Sequence, residues 1–309
     1  MNPIKKPILI TGSHRSGTTW VGKVLAKAPK VAYVFEPFNI GLNTNVNSKQ
    51  FANMYQYLCH ENDSEYRGSL DDLMSFKYPL MKNLKILNGF KNLAKIARDQ
   101  FLFLDYATRG CRPLIKDPIA FFSATWLAKT FDMQVLVMIR HPAAFCSSLK
   151  IKNWTFDFKN FTKQPLLIEQ YLYPFRKEIE HFSKHPMSII DQGILLWNCI
   201  HHTIHLYQET HPEWIFIRHE DLSLNPVDGF RDIFKLLELD FTNNVNEYIK
   251  LTSSSSNPVE QQPDNQFFRN SELNVKNWMS RLTADEIAYI RDKTDDVCRI
   301  YYTDQDWIS

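Results

Sequence analysis

The length, composition and charge of the chain exclude several classes of protein. It has 309 residues, 44% of them hydrophobic, which suffices for the core of one large α/β domain over residues 1–309. The formal net charge of +2 is near balance, so a general nucleic-acid-binding protein is not expected. The five cysteines are scattered and lack C-x-x-C spacing, which predicts reduced thiols rather than a zinc site or a disulfide framework.

The sequence also bears on location. The first predicted strand starts within ten residues of Met1, so we expect neither a signal peptide nor an amino-terminal anchor. The sequence contains no run of 18 apolar residues, so no transmembrane span is expected. These observations predict a cytoplasmic protein.

Hydrophobic periodicity divides the chain into alternating strands and helices. Strands are predicted at 7–11, 31–35, 112–116, 134–139 and 213–218. Helices are predicted at 18–27, 119–130, 142–150, 188–210, 226–238 and 283–297. Such alternation with parallel crossovers predicts an α/β fold, a three-layer doubly wound parallel sheet. Two long segments interrupt the pattern, a first insertion at 40–110 and a second insertion at 151–185.

The first strand, loop and helix form the most informative part of the sequence. Apolar residues Ile8–Ile10 precede a small polar turn from Gly12 to Thr19, and a helical pattern follows. In such a turn the backbone N–H groups surround an anion at the positive end of the helix dipole. The loop is therefore expected to bind phosphate.

This loop departs from the Walker pattern of nucleoside triphosphatases. Thr18 occupies the position of the Walker lysine, and Arg15 is the cation inside the loop. None of the later predicted strands ends in the hydrophobic-hydrophobic-Asp sequence that would hold Mg²⁺. These differences favour a ligand with one 5′ phosphate-based group, neutralised by Arg15 and neighbouring hydroxyls without a metal ion.

Arg140 and Ser148, which have the chemistry to hold a second anion, lie where the fourth strand meets the next helix. Arg140 ends the strand, Pro142 suits the first turn of the helix, and Ser148 lies about two turns along it. A phosphate between Arg140 and Ser148 would receive a charge-assisted bond and a bond from the hydroxyl.

These motifs resemble those of the sulfotransferases that use 3′-phosphoadenosine-5′-phosphosulfate (PAPS). The sequence HRSGTTW at 14–20 is similar to the family's 5′-phosphosulfate loop, and Arg140 with Ser148 is similar to its 3′-phosphate pair. Segments 214–239 and 267–283 resemble the family's late strand and helix and its nucleotide-closing segment. The resemblance implies PAPS as donor cosubstrate, with a phosphosulfate loop formed by Arg15, Ser16, Gly17, Thr18 and Thr19.

The resemblance implies two further contacts with the nucleotide. Trp20 would lie on the adenine side, and Arg269 would reach the 3′-phosphate. At this point the chain departs from the cytosolic small-molecule branch of the family, which carries an Arg-Lys-Gly run. Here Asn270 and Ser271 follow Arg269.

Glu36 and Lys116 are the predicted catalytic pair, assisted by Arg15. Sulfuryl transfer needs positioning, neutralisation of charge and a base for the acceptor's proton. Glu36 ends the second strand, and active-site groups of open α/β sheets gather at the carboxyl ends of strands. Glu36 and the sequence Lys116-Asp117-Pro118 resemble the protein-tyrosine and bacterial branches, in which the Glu is the base and the Lys stabilises the transferring group. A solvated acid at a strand end is the alternative for Glu36.

Together these patterns favour a PAPS-dependent sulfotransferase whose acceptor is a hydroxyl of a glycan, lipid, peptide or small molecule. A P-loop kinase with an altered loop and a nucleotide-binding protein without turnover are the alternatives. In this fold both insertions would flank the acceptor, and the second is rich in aromatic residues. Residues 80–98 have the pattern of a basic helix, which would either pack on the domain or contact a membrane surface or acidic substrate.

Overall fold

The computed structural model of the protein describes residues 5–41, 46–85, 90–260 and 268–308, and a parallel sheet lies at its centre. The strands are β1 (Ile8–Gly12), β2 (Val31–Phe35), β3 (Arg112–Lys116), β4 (Gln134–Ile139) and β5 (Ile215–Arg218). They lie in the order β2-β3-β1-β4-β5, so that β1 is central. In the register of the sheet, Leu9 of β1 is opposite Ile115 of β3 and Val135 of β4.

Helices connect the strands and cover both faces of the sheet. They are α1 (Thr18–Leu25), α2 (Arg67–Met74), α3 (Leu80–Lys85), α4 (Phe90–Thr108), α5 (Ala124–Phe131), α6 (Pro142–Lys152), α7 (Lys159–Thr162), α8 (Pro165–Leu167), α9 (Arg176–Phe182), α10 (Ile189–Thr210), α11 (His219–Leu224), α12 (Pro226–Leu236), α13 (Asn243–Ser253), α14 (Ser271–Val275), α15 (Trp278–Arg281) and α16 (Ala284–Cys298). Among the described residues, none of these helices has the length and apolarity that crossing a bilayer requires.

Alternate residues of the strands face two separate cores. Ile8 and Ile10 of β1 belong to the core formed with α1, α12 and α13 on one face. Leu9, between them, belongs to the larger core on the other face, with residues of α5, α6, α10 and α16. Strands that are buried on both faces have continuous apolar sequences, which is the pattern of β1. The predicted three-layer, doubly wound α/β fold is confirmed.

The predicted elements differ from the observed ones mainly at their ends and in the first insertion. The helix expected from residue 119 starts at Ala124, because the Asp117 carboxylate first accepts the backbone N–H groups of Ile119 and Ala120 in a turn. The helix predicted at 80–98 is two helices, α3 and α4, and residues 86–89 lie outside the described residues.

Candidate functional site

Residues that follow each of the five strands line one cavity of about 570 Å³. The lining includes Arg15 after β1, Glu36 after β2, Ile119 after β3, Arg140 after β4 and His219 after β5. The strands are parallel, so their carboxyl ends meet at one edge of the sheet and side chains distant in sequence gather there.

The loop after β1 is shaped by its own hydrogen bonds and by left-handed backbone. Ser16 Oγ donates to the carbonyl oxygen of Ser13 at 2.5 Å, and Arg15 has φ 66°. The loop ends at the N-terminus of α1, whose Thr18 and Thr19 line the cavity. The first N–H groups of a helix and its dipole favour an anion, so this end of the cavity suits a phosphate group.

Position 17 requires a glycine, because of its backbone conformation and because the His219 ring lies close to it. Its φ is 87°, and a Cβ atom at this position would lie 2.5 Å from Nδ1 of the His219 ring. Burial, with repulsion from Arg140 and Arg269, lowers the pKa of His219 well below its ordinary value. The ring is therefore neutral when it packs under the loop.

Substitution of Gly17 by alanine is expected to lower the free energy of unfolding by about 1–3 kcal/mol, because the left-handed backbone and the His219 ring both oppose a side chain. Urea denaturation would measure the change. Gly68→Ala is the matched control, since Gly68 lies in α2 with open space around a Cβ position among the described residues. In a helix alanine is favoured over glycine by about 0.5–1 kcal/mol. Equal stability of the two variants would contradict the close packing.

Four arginines, Arg15, Arg140, Arg269 and Arg281, form an arginine cluster beside the loop. Arg15 Nε donates to Ser148 Oγ at 2.8 Å, and Arg140 donates to the carbonyl oxygen of Arg15. Burial lowers the pKa of Arg15 and of Arg140 to about 10, and repulsion from Arg269 and Arg281 contributes. Arg15 and Arg140 therefore stay charged at neutral pH. Positive charge that is partly removed from water favours a bound polyanion.

Glu36 and Lys116 form an ion pair at the ends of β2 and β3. The two residues meet because Phe35 is opposite Lys116 in the register of the sheet. Lys116 is fully buried and its Nζ contacts Glu36 Oε1, while Asn39 Nδ2 donates to Glu36 Oε2 at 2.7 Å. Burial lowers the pKa of Lys116, and the Glu36 carboxylate opposes that effect. Lys116 and Asn39 thus hold the carboxylate of Glu36, whose side chain is 13% exposed and lines the cavity.

Asp117, next to Lys116, has a structural role. Its Oδ2 accepts the backbone N–H of Phe38 at 2.6 Å, and its Oδ1 accepts those of Ile119 and Ala120 at 2.8 and 3.2 Å. Burial, reinforced by the Glu36 carboxylate, raises the pKa of Asp117 to about 7. These bonds fix the turns that follow β2 and β3 and so support the position of Glu36.

Trp20 joins the helices on one side of the cavity. Its Nε1 donates to Thr252 Oγ1 of α13 at 3.1 Å, and its ring meets Phe230 of α12 edge to face at 5.0 Å. Trp20, Thr252 and Arg269 all line the cavity. Trp278, further along the expected nucleotide-closing segment, is instead buried and stacks on His141 at 5.1 Å.

Both insertions contribute apolar walls to the cavity. The apolar lining includes Phe35, Met54, Leu149, Trp154 and Phe156. Trp154 is 46% exposed, and the Arg15 guanidinium lies 5.3 Å from its ring centroid. Phe158 and Phe161 of the second insertion are buried in the core, so only part of its aromatic content reaches the cavity.

The structure brings the sequence-predicted residues together in two groups. Eight of them line the cavity: Arg15, Gly17, Thr18, Thr19, Trp20, Glu36, Arg140 and Arg269. Lys116 and Ser148 lie behind the lining, where they contact Glu36 and Arg15, and Ser16 bonds within the loop.

Sequence reasoning did not count His14 and His219 among the site residues. His14 and His219 line the cavity, and the position of His219 directly after β5 was a signal for a site residue. His14 Nδ1 lies 2.7 Å from the hydroxyl of Tyr55, which ties the loop to the first insertion. Arg281 approaches Arg15 through the return of the chain after α14, and its guanidinium pairs with the Glu260 carboxylate at 2.5 Å.

Comparison with known proteins identifies the family. The sequence matches the model of the Sulfotransferase family over residues 7–243, which include all five strands. The sulfotransferase domain from the Synechococcus PCC 7002 olefin synthase has a similar structure, with TM-score 0.50 and 16% identity over 97% of this chain and 96% of that one. The sulfotransferase domain from the curacin biosynthetic pathway is also similar, with TM-score 0.50 and 13% identity over 94% of this chain and 97% of that one. No curated protein sequence matches significantly. The chain belongs to the sulfotransferase family.

Proposed function

We propose that the protein transfers a sulfuryl group from PAPS to the hydroxyl group of an acceptor. Membership of the family supports sulfuryl transfer in general. The observation that carries the finer proposal is that positively charged arginines and the Glu36 carboxylate line the same cavity. The arginine cluster fits an anionic donor, and the Glu36 carboxylate fits the removal of a proton from the acceptor.

In this proposal the two ends of the donor occupy different parts of the site. Arg15 and the residues from Ser16 to Thr19 hold the 5′-phosphosulfate at the N-terminus of α1. Arg140, Ser148 and Arg269 hold the 3′-phosphate. The Ser148 hydroxyl accepts a bond from Arg15, which leaves its proton to donate to a phosphate oxygen. Trp20 offers an aromatic ring to the adenine.

The proposed transfer is an in-line displacement at sulfur. The acceptor oxygen forms a bond to sulfur, the bond from sulfur to the bridging oxygen of the 5′-phosphate breaks, and the acceptor's proton passes to Glu36. The products are a sulfate ester and 3′-phosphoadenosine-5′-phosphate (PAP). Arg15 stabilises the charge on the sulfuryl oxygens and the leaving phosphate, and Lys116, buried behind the lining, supports the site through its ion pair with Glu36. We therefore propose side chains rather than a metal ion for this role.

The acceptor is proposed to have an apolar or aromatic body next to its hydroxyl. Met54, Trp154 and Phe156 supply the apolar walls, and pockets of this kind select ligands by shape with a few polar contacts. A hydroxyl that reaches Glu36 past these walls would be oriented toward the donor.

Calorimetric titration of the protein with PAP, with ATP·Mg²⁺ in parallel, tests the donor. Since the loop has Thr18 in place of the Walker lysine, we expect PAP to bind and ATP·Mg²⁺ to bind far more weakly. A preference for ATP·Mg²⁺ would favour the P-loop kinase instead. Tight binding of PAP without transfer from labelled PAPS to any hydroxyl acceptor in a broad panel would favour a nucleotide-binding protein without turnover.

A further inference from the structure

Helix α4 carries an apolar stripe on its solvent-facing side. Leu93, Ala97, Phe101 and Leu104 are spaced by four, four and three residues, which places them on one face of the helix. Their exposure is high, at 72% for Phe101, 49% for Leu104 and 40% for Leu93. We call these four residues the α4 stripe. Met81 of the adjacent α3 is 69% exposed and adds to the apolar surface of this unit.

The α4 stripe is distinct from the face by which α4 packs on the domain. Ile96 and Phe103 are buried, and the Phe103 ring contacts those of Phe76 and Tyr78 at 6.2 and 5.5 Å. A helix that only packs on a domain has one apolar face and one polar face. Helix α4 has two apolar faces, of which the domain covers one.

The charge of this region indicates what kind of surface would cover the stripe. Residues 80–104, which include α3 and the whole stripe, contain five lysines and arginines and one carboxylate, a charge of +4. The carboxylate is that of Asp99, which pairs with Arg98 at 2.7 Å. The whole chain carries +2, so the remainder carries −2. In a symmetric contact between two copies the positive regions would face each other and repel. The stripe with its cationic surroundings is therefore complementary to an anionic surface.

We propose that the α4 stripe and the neighbouring cations Lys85, Lys95 and Arg98 bind the surface of an anionic lipid bilayer. Phe101 and Leu104 protrude from a helix, and the boundary between headgroups and acyl chains accepts protruding apolar side chains without a matching groove. These three cations would lie among the anionic headgroups. The α3–α4 unit belongs to the crossover between β2 and β3, next to the strands that carry the Glu36–Lys116 pair.

Flotation of the full chain with vesicles tests this proposal. We expect binding to vesicles of equal phosphatidylglycerol and phosphatidylcholine, weaker binding at high salt, and little binding to pure phosphatidylcholine. Phe101→Ser should weaken binding roughly tenfold, since it removes the largest inserted side chain. Lys85→Glu should also weaken it roughly tenfold through charge reversal. The matched control is Leu236→Ser, which changes an apolar residue of α12 that is 56% exposed.

Thermal denaturation and PAP affinity would show that these surface variants remain folded with an intact donor site. Two results would overturn the proposal. One is the absence of binding to the anionic vesicles, or binding that Phe101→Ser and Lys85→Glu leave unchanged. The other is a dimer in sedimentation velocity that Phe101→Ser dissociates, which would mean that a second copy of the chain covers the stripe.

Discussion

Replacement of Glu36 by glutamine is expected to lower the turnover number by a factor on the order of 10²–10⁴, the usual contribution of a general base. Glutamine has the same size and its amide oxygen still accepts hydrogen bonds from Asn39 or Lys116, but it does not take up the acceptor's proton. The affinity for PAP should change little. Single-turnover transfer from labelled PAPS and calorimetry with PAP would measure the two quantities separately.

The control for this experiment is Glu209→Gln, because Glu209 is exposed near the end of α10. Unchanged turnover in Glu36→Gln would mean that Glu36 is a solvated acid at the end of a strand. Equal losses of PAP affinity and turnover would mean that Glu36 acts by holding the neighbouring loops rather than as a base. Only a loss confined to turnover agrees with the proposed role.

Replacement of Arg140 by alanine is expected to raise the Kd for PAP by about 10- to 100-fold, the effect of losing a hydrogen bond to a charged group. The proposal places the 3′-phosphate at Arg140, so affinity for adenosine 5′-phosphate, which lacks that group, should fall much less. Calorimetry with both nucleotides would give the ratio of their affinities. The preference for PAP is the quantity that Arg140→Ala should reduce.

Two further variants separate charge from geometry at this position. Arg140→Lys keeps the charge without the planar donors and should lose less affinity than Arg140→Ala. Arg231→Ala is the surface control, since Arg231 is 55% exposed and pairs with Asp228 on α12. Unchanged PAP affinity in Arg140→Ala would contradict the assignment. Equal losses for both nucleotides would mean that Arg140 acts through its bond to the Arg15 carbonyl oxygen.

The loop and its neighbours were predictable because their information is local. Apolar Ile8–Ile10, the polar turn and the helical pattern after Gly17 are consecutive in the chain, so each pattern predicts its own element. The strand-end positions of Glu36 and Arg140 then predict a shared edge of the sheet, since parallel strands end together. The same rule applied to β5 would have included His219.

The α4 stripe could not be read correctly from periodicity. The pattern at 80–98 predicts one basic helix that either packs on the domain or contacts a membrane surface or acidic substrate. The structure instead has two helices, α3 and α4, and α4 has apolar residues on two of its faces. Periodicity shows that apolar residues share a face, but not which face the domain covers. Contacts of Phe103 with Phe76 and Tyr78 determine which face of α4 the domain covers. They leave Phe101 exposed to solvent.

The sequence by itself determined the order of the strands, the anion-binding loop and the types of side chain available for chemistry. Tertiary structure alone decided which of those side chains meet. Glu36 and Lys116 are 80 residues apart and are joined by the register of β2 and β3. Arg15 and Ser148 are 133 residues apart, yet they share a hydrogen bond because β1 and β4 are neighbours. Local propensities act over a few residues, whereas such contacts follow from strand pairing and burial across the whole chain.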